Sequence, residues 1–184
     1  MPPRMTGPDE DFGERVRACR WGILLALLAI LFGFAMGGVF GAFEDSLKAD
    51  LSARAAAVRD TVYGGDDAKI ESVLTKSWSY YKRAHMHAGG IGAAALAAIL
   101  LLATLRRPSP RVRGGVALAL GIGSVGYPLF WMLAARTAPS LGGTDAAKEA
   151  LAWLAVPSAG LLLLGVIGVI GLTAIDLFAS RPAR

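Results

Sequence analysis

Four long stretches of this 184-residue chain carry almost no charge, and they constrain the fold more than any other feature. Trp21 to Phe43 has no ionisable side chain. Ala84 to Leu105 has only His85 and His87. Gly114 to Ala135 and Ala150 to Ile175 are also uncharged. At ~1.5 Å of rise per residue, about 20 helical residues cross a hydrocarbon layer ~30 Å thick. No water satisfies the backbone there, so each run must close its own hydrogen bonds as a helix. The chain is therefore expected to be an all-α membrane protein. The expected architecture is a four-transmembrane-helix bundle with spans at 21–43, 84–105, 114–135 and 151–177, within a transmembrane domain at 21–180. An apolar content of 54% and a mean hydropathy of +0.51 agree with it. The third span is the most dilute, because glycines and Pro128 interrupt it. The first is too long for the ~7–15-residue apolar core of a secretory signal and lacks a small-x-small cleavage site, so it reads as a retained anchor.

The formal charge of +5 is explained by topology rather than by a nucleic-acid partner. Arg15, Arg17 and Arg20 precede the first span. Arg106, Arg107, Arg111 and Arg113 crowd the link between the second and third. Arg181 and Arg184 close the chain. With four crossings these segments share one side. The other side receives 44–83, where acidic and basic residues balance, although Lys82 and Arg83 oppose the trend. The positive-inside rule then puts both termini in the cytoplasm. The four arginines at 106–113 are placed to meet anionic lipid headgroups. The excess of arginine over lysine, with abundant Ala and Gly, suggests a high-GC bacterial genome, hence a bacterial inner (plasma) membrane. The tails, 1–20 and 181–184, are expected to be cytoplasmic. The first is rich in proline and expected to be disordered.

Between the first two spans, Leu47, Leu51, Val58 and Val62 recur at helical spacing. Gly64-Gly65 breaks the pattern. Asp66 or Asp67 can then cap a second helix, with Ile70, Val73, Leu74 and Tyr81 on one face. Residues 44–83 thus read as an extracytoplasmic helical hairpin that extends the first two spans. A lone hairpin is marginally stable and would seek a partner. Thr144 or Asp145 is placed to cap the fourth helix. Small residues at four-residue spacing form three stripes: Gly33, Gly37 and Gly41; Gly89, Ala93 and Ala97; Gly115, Ala119 and Gly123. Such stripes let helix backbones approach in lipid, most simply within one bundle. "GIGSVG" at Gly121–Gly126 matches a dinucleotide fingerprint in letters only, since it lies inside an apolar helix with no preceding strand. Cys19 stands alone, so it has no disulfide partner and is read as an inert thiol, with reversible acylation as the alternative.

The chemistry-bearing residues gather at one depth, near the outer ends of the spans. His85 and His87 are two apart, so on a helix they point ~200° away from each other and cannot share a metal. No metal site is expected. No other helix carries a histidine, so an intrachain bis-histidine haem is excluded, while a pairing with Met36 or Met132 is not. Trp78, Tyr80, Tyr81, Tyr127, Trp131 and Trp153 lie at the same level. They fit an interfacial aromatic belt, or alternatively a pocket for quinone or lipid. The phrase "AHMHAGGIG" resembles histidine-bearing helices of membrane cytochromes over about one and a half turns of helix. The second-helix histidines are missing, and no family follows from it. No nucleophile–base pair is visible, and mid-span charge is nearly absent, with Asp176 at a helix end. The expected function is non-enzymatic: an accessory or scaffold subunit of an inner-membrane assembly, associating with lipids and with other membrane subunits or itself. The alternative is a redox subunit holding quinone or haem b through His85 or His87, with Met36, Met132, Tyr81, Tyr127, Trp131 and Trp153 around it. No cofactor is expected under the first reading.

Overall fold

A computed structural model describes residues 11–179, and among these it contains helices and short connections with no strand. The helices are α1 (Phe12–Ala18), α2 (Arg20–Ala56), α3 (Arg59–Val62), α4 (Asp67–Thr104), α5 (Pro110–Thr137), α6 (Thr144–Ala150) and α7 (Ala152–Phe178). Four of them, α2, α4, α5 and α7, are long and apolar enough to cross a membrane. The helices α2 and α4 have 37 and 38 residues, or ~55 Å each, far more than a bilayer core requires.

Local chemistry sets the helix ends. Gly64 and Gly65 take positive φ values of 63° and 78° in the turn before α4. Asp66 then caps α4, its side chain accepting from the Lys69 amide at 3.0 Å. Ser109 caps α5, followed by Pro110 at the first helical position, where a missing N–H costs nothing. Inside α2, Phe43 leaves helical geometry (φ −136°, ψ 23°), at the residue where the uncharged run gives way to Glu44. The cap expected from Thr144 or Asp145 is instead the backbone of Gly143, with no side-chain bond. The helix it starts, α6, is a separate seven-residue piece that ends at Leu151 before α7.

The central helix is α5, which packs on α2, α4 and α7. This accounts for its dilute apolarity. A helix touched on three sides needs small residues where backbones meet, and Gly121, Gly123, Gly126 and Pro128 are all buried. A Cβ on Gly123 would lie 2.8 Å from the Ser158 carbonyl oxygen of α7. On α2 the buried seam is Gly22, Ala26, Ala29, Gly33 and Met36, alternating four and three residues in the manner of a supercoiled interface. A Cβ on Gly33 would stand 2.7 Å from the Gly89 amide nitrogen. The matching face of α4 is Ala84, Ala88, Gly92, Ala95 and Ile99.

The strict four-residue stripes therefore coincide with these seams only in part. Gly33 and Gly123 lie in tight contacts, and Gly37 abuts the His85 ring. A side chain added at Gly41 or Gly115 would meet nothing within 4 Å. Gly89 is touched by Gly33, but Ala93 and Ala97 are exposed and Ala119 is half-buried. The reason is rotational. Each step of four residues advances a helix by ~40°, so a strict repeat walks off the contact that a four-three alternation keeps.

Two further expectations are corrected. The tail expected to be disordered over 1–20 contains α1, and Cys19 behind it is buried at the α1–α2 junction. Only its first ten residues, with 180–184, lie outside the described residues; Arg181 and Arg184 are among those. The α2–α4 turn does not stand clear of the rest of the chain. Leu51, Ala55, Tyr63 and Val73 share one buried cluster with Phe130, Ala134 and Ala138 near the end of α5 and with Ala147 of α6. Part of the apolar face that would have sought a partner, at Leu51 and Val73, is covered from within, while Val62 stays exposed.

Candidate functional site

The two histidines leave α4 on opposite sides. His85 turns to α2, where its Nδ1 lies 2.8 Å from the Gly33 carbonyl oxygen and its ring stands edge-on to Phe40 with centroids 5.7 Å apart. A carbonyl can only accept, so Nδ1 carries the hydrogen. His87 turns to α5, with its ring centroid 5.4 Å from that of Tyr127 and 6.4 Å from that of Trp131. No group of three or more His, Cys, Asp or Glu side chains could hold a metal among the described residues.

The residues gathered at this depth by sequence separate into two groups. Met36, Met132 and Tyr81 line a cleft of about 490 Å³ between α2, α4 and α5, walled also by Phe32 and Phe40. Neither histidine lines it. At its polar end stand Asp50 and Arg136. Asp50 accepts from Arg54 Nε at 2.8 Å, one helical turn on, and Arg136 Nε approaches the same carboxylate oxygen at 3.9 Å. The second group is His87, Tyr127 and Trp131, joined by Tyr80 and Arg83. The Arg83 guanidinium sits 4.3 Å from the Trp131 ring centroid and 5.4 Å from that of Tyr80, two rings that themselves stand edge to face at 4.7 Å. The indole Nε1 of Trp131 is buried with no hydrogen-bond partner. Trp153 joins neither group and is 70% exposed at the start of α7.

Outside the spans, the turn between α3 and α4 is closed by a fork. Arg59 donates from Nε and Nη2 to the two carboxylate oxygens of Asp67 at 2.9 and 3.0 Å, which holds that carboxyl below the ordinary aspartate range. The buried Tyr63 hydroxyl donates to the Pro139 carbonyl at 2.7 Å, and burial pushes its phenol up.

At the arginine-rich end, only part of the cluster expected at lipid headgroups faces outward. Arg106, Arg107 and Arg111 are exposed. Arg113 is fully buried and donates from Nη2 to the Leu105 carbonyl at 2.9 Å, so its charge caps the end of α4 instead of reaching lipid. Asp176, which the sequence placed in water at a helix end, accepts from the backbone amides of Arg106 and Arg107 at 3.1 and 3.0 Å. It fastens the α4–α5 link to α7. The chain matches no protein-family profile, no curated protein and no solved structure.

Sequence reasoning did not find Phe32, Phe40, Asp50 or Arg136 as cleft residues. The Asp50–Arg54 spacing was visible as an ordinary four-apart helix pair. That Arg136 closes on it from another helix has no sequence signal. Chemically, the arrangement offers an apolar cleft with an ionic end, a cation beside two aromatic rings, and polar groups that mostly bind backbone.

Proposed function

We propose that this chain is a non-enzymatic, multi-pass protein of a bacterial inner membrane, with both termini in the cytoplasm. Its four long helices form the bundle, the outer parts of α2 and α4 form an extracytoplasmic hairpin, and the molecule serves as an accessory or scaffold subunit of a membrane assembly. One observation carries this reading: three titratable side chains near the spans serve to fasten helices. His85 binds the Gly33 carbonyl, Arg113 the Leu105 carbonyl, and Asp176 two loop amides. A catalytic or transport site would keep such groups turned toward a substrate. Meanwhile α7 leaves Leu163, Leu164, Ile167 and Ile170 more than 60% exposed, which leaves one long apolar face for lipid or a neighbouring subunit.

Photo-crosslinkers placed at Leu163 and Ile167 in native membranes test it. A discrete protein adduct is expected. Adducts to lipid alone, together with a monomer in mild detergent, would overturn the scaffold role. Single cysteines at Ser109 and Ser140, in a Cys19→Ser background, test orientation with a membrane-impermeant maleimide, which should label only position 140 in intact cells.

A second reading, a redox subunit that holds quinone, is supported by the unpartnered Trp131 Nε1 beside His87, since a quinone carbonyl accepts from indole or imidazole N–H. Haem b has less support, because the methionine-lined cleft includes no imidazole. An absorption spectrum and an organic extract of purified protein separate these: a Soret band would indicate haem, an extracted quinone the second reading.

A further inference from the structure

The cleft between α2, α4 and α5 has features the scaffold reading does not use. Its wall on α2 runs from Phe32 to Asp50, about 27 Å of helix at ~1.5 Å per residue. The lower part is apolar, and it opens sideways: Ala35 is exposed and Val39 is 41% exposed, on a helix whose other outward residues, such as Leu31 and Phe34, are large and apolar. The upper part is ionic. Asp50 is already neutralised by Arg54 at 2.8 Å. Among the described residues, Arg136 has only the 3.9 Å approach to Asp50, and its side chain is 57% exposed. Counting Arg54, which stands one turn beyond the lining, the mouth carries two guanidinium groups against one carboxylate.

We infer that this cleft is a binding site for one anionic phospholipid of the outer leaflet. An acyl chain lies against Phe32, Met36, Val39 and Met132, and the phosphate meets Arg136. Each part of the cleft selects for part of that ligand. Methionine and phenylalanine walls adapt to a flexible chain. A guanidinium fork matches phosphate oxygens better than it matches its long contact with Asp50. The net positive mouth favours an anionic over a neutral amphiphile, and a quinone would bring Arg136 no closer counter-charge than Asp50 at 3.9 Å. Phe43, where α2 leaves helical geometry, lies between the cleft-lining Phe40 and Leu47.

Native mass spectrometry of the full-length protein, released from nanodiscs of phosphatidylcholine with a minor share of phosphatidylglycerol, tests this. Wild-type protein should retain one phosphatidylglycerol. Arg136→Gln should weaken retention about tenfold, as loss of one charged hydrogen-bonding pair implies. Val39→Trp should exclude the lipid by filling the opening. Lys76→Gln, which removes an exposed charge on α4 outside the cleft, should leave retention unchanged. A photoactivatable phosphatidylglycerol should mark the Phe32–Phe40 segment. Circular dichroism checks that each variant is folded, and the exposed Arg136 site keeps the test valid if the tryptophan is not tolerated. Equal retention by wild type and Arg136→Gln would overturn the inference. So would equal retention of phosphatidylcholine, or a loss caused by Lys76→Gln. None of these outcomes depends on whether Leu163 or Ile167 crosslinks a neighbour.

Discussion

His85 Nδ1 donates to the Gly33 carbonyl oxygen at 2.8 Å, tying α4 to α2 one turn from where Gly33 packs against the Gly89 backbone. The carbonyl belongs to a helix interior and already has an amide partner four residues on, so the imidazole supplies a second, interhelical bond. That bond exists because Gly37, one turn from Gly33, leaves room for the ring.

His85→Phe keeps a ring beside Phe40 and removes only this bond. It should cost ~0.6 kcal/mol, the usual size of an interhelical hydrogen bond within a membrane. His85→Ala also empties the space against Gly37 and should cost about 1–3 kcal/mol. Unfolding in mixed micelles measures both, and equal stability of all three proteins would show that the bond holds nothing.

The glycines divide by what a methyl group would meet. Gly22→Ala would put a Cβ 2.3 Å from the Ala117 carbonyl oxygen, and Gly33→Ala would put one 2.7 Å from the Gly89 nitrogen. Backbone cannot step aside as a side chain can, so each should cost about 1–3 kcal/mol. Gly41→Ala and Gly115→Ala meet open space and should fall within ~0.5 kcal/mol of wild type. Melting temperatures of the four variants should fall into two pairs.

The Tyr63 hydroxyl ties the α3 turn to Pro139, and Tyr63→Phe should cost about 1–2 kcal/mol by orphaning a buried carbonyl. The pH dependence has a definite sign. Burial raises the folded-state phenol above its ordinary value of ~10, so the folded protein holds the proton more tightly. The stability this contributes is complete below that value and is lost as pH rises through it toward the folded-state value. Between pH 9 and 11, wild-type protein should lose stability more steeply than Tyr63→Phe. Parallel curves would rule out a contribution from Tyr63.

Asp176→Ala should free the Arg106 and Arg107 amides and expose the α4–α5 link, at a cost of ~1 kcal/mol given that the contact is exposed. Asp176→Asn keeps the accepting oxygen and should lie near wild type. Trypsin distinguishes them: cleavage after Arg106 should speed up in the alanine variant and not in the asparagine variant, since the bond after Arg107 is closed to trypsin by Pro108.

Sequence alone was enough for the four long helices and for much of the local chemistry at their ends. The uncharged runs, the Gly64-Gly65 turn, Asp66 as a cap and the opposed histidines all follow from residue type and helix rotation over a few residues. Physical interactions at that range are decided by neighbours along the chain. What lies across a helix interface was decided only by tertiary structure. The true seams depend on which helix faces which, so Gly33 packs while Gly41 does not. Arg113 is buried although its neighbours in the loop are exposed, because only its position turns it toward Leu105. The residues read as one site divided in two, since equal depth along the helices says nothing about angle around them. Arg136 meets Asp50 across 86 residues of sequence because α5 returns alongside α2, and only the packing of the central helix brings that pair together.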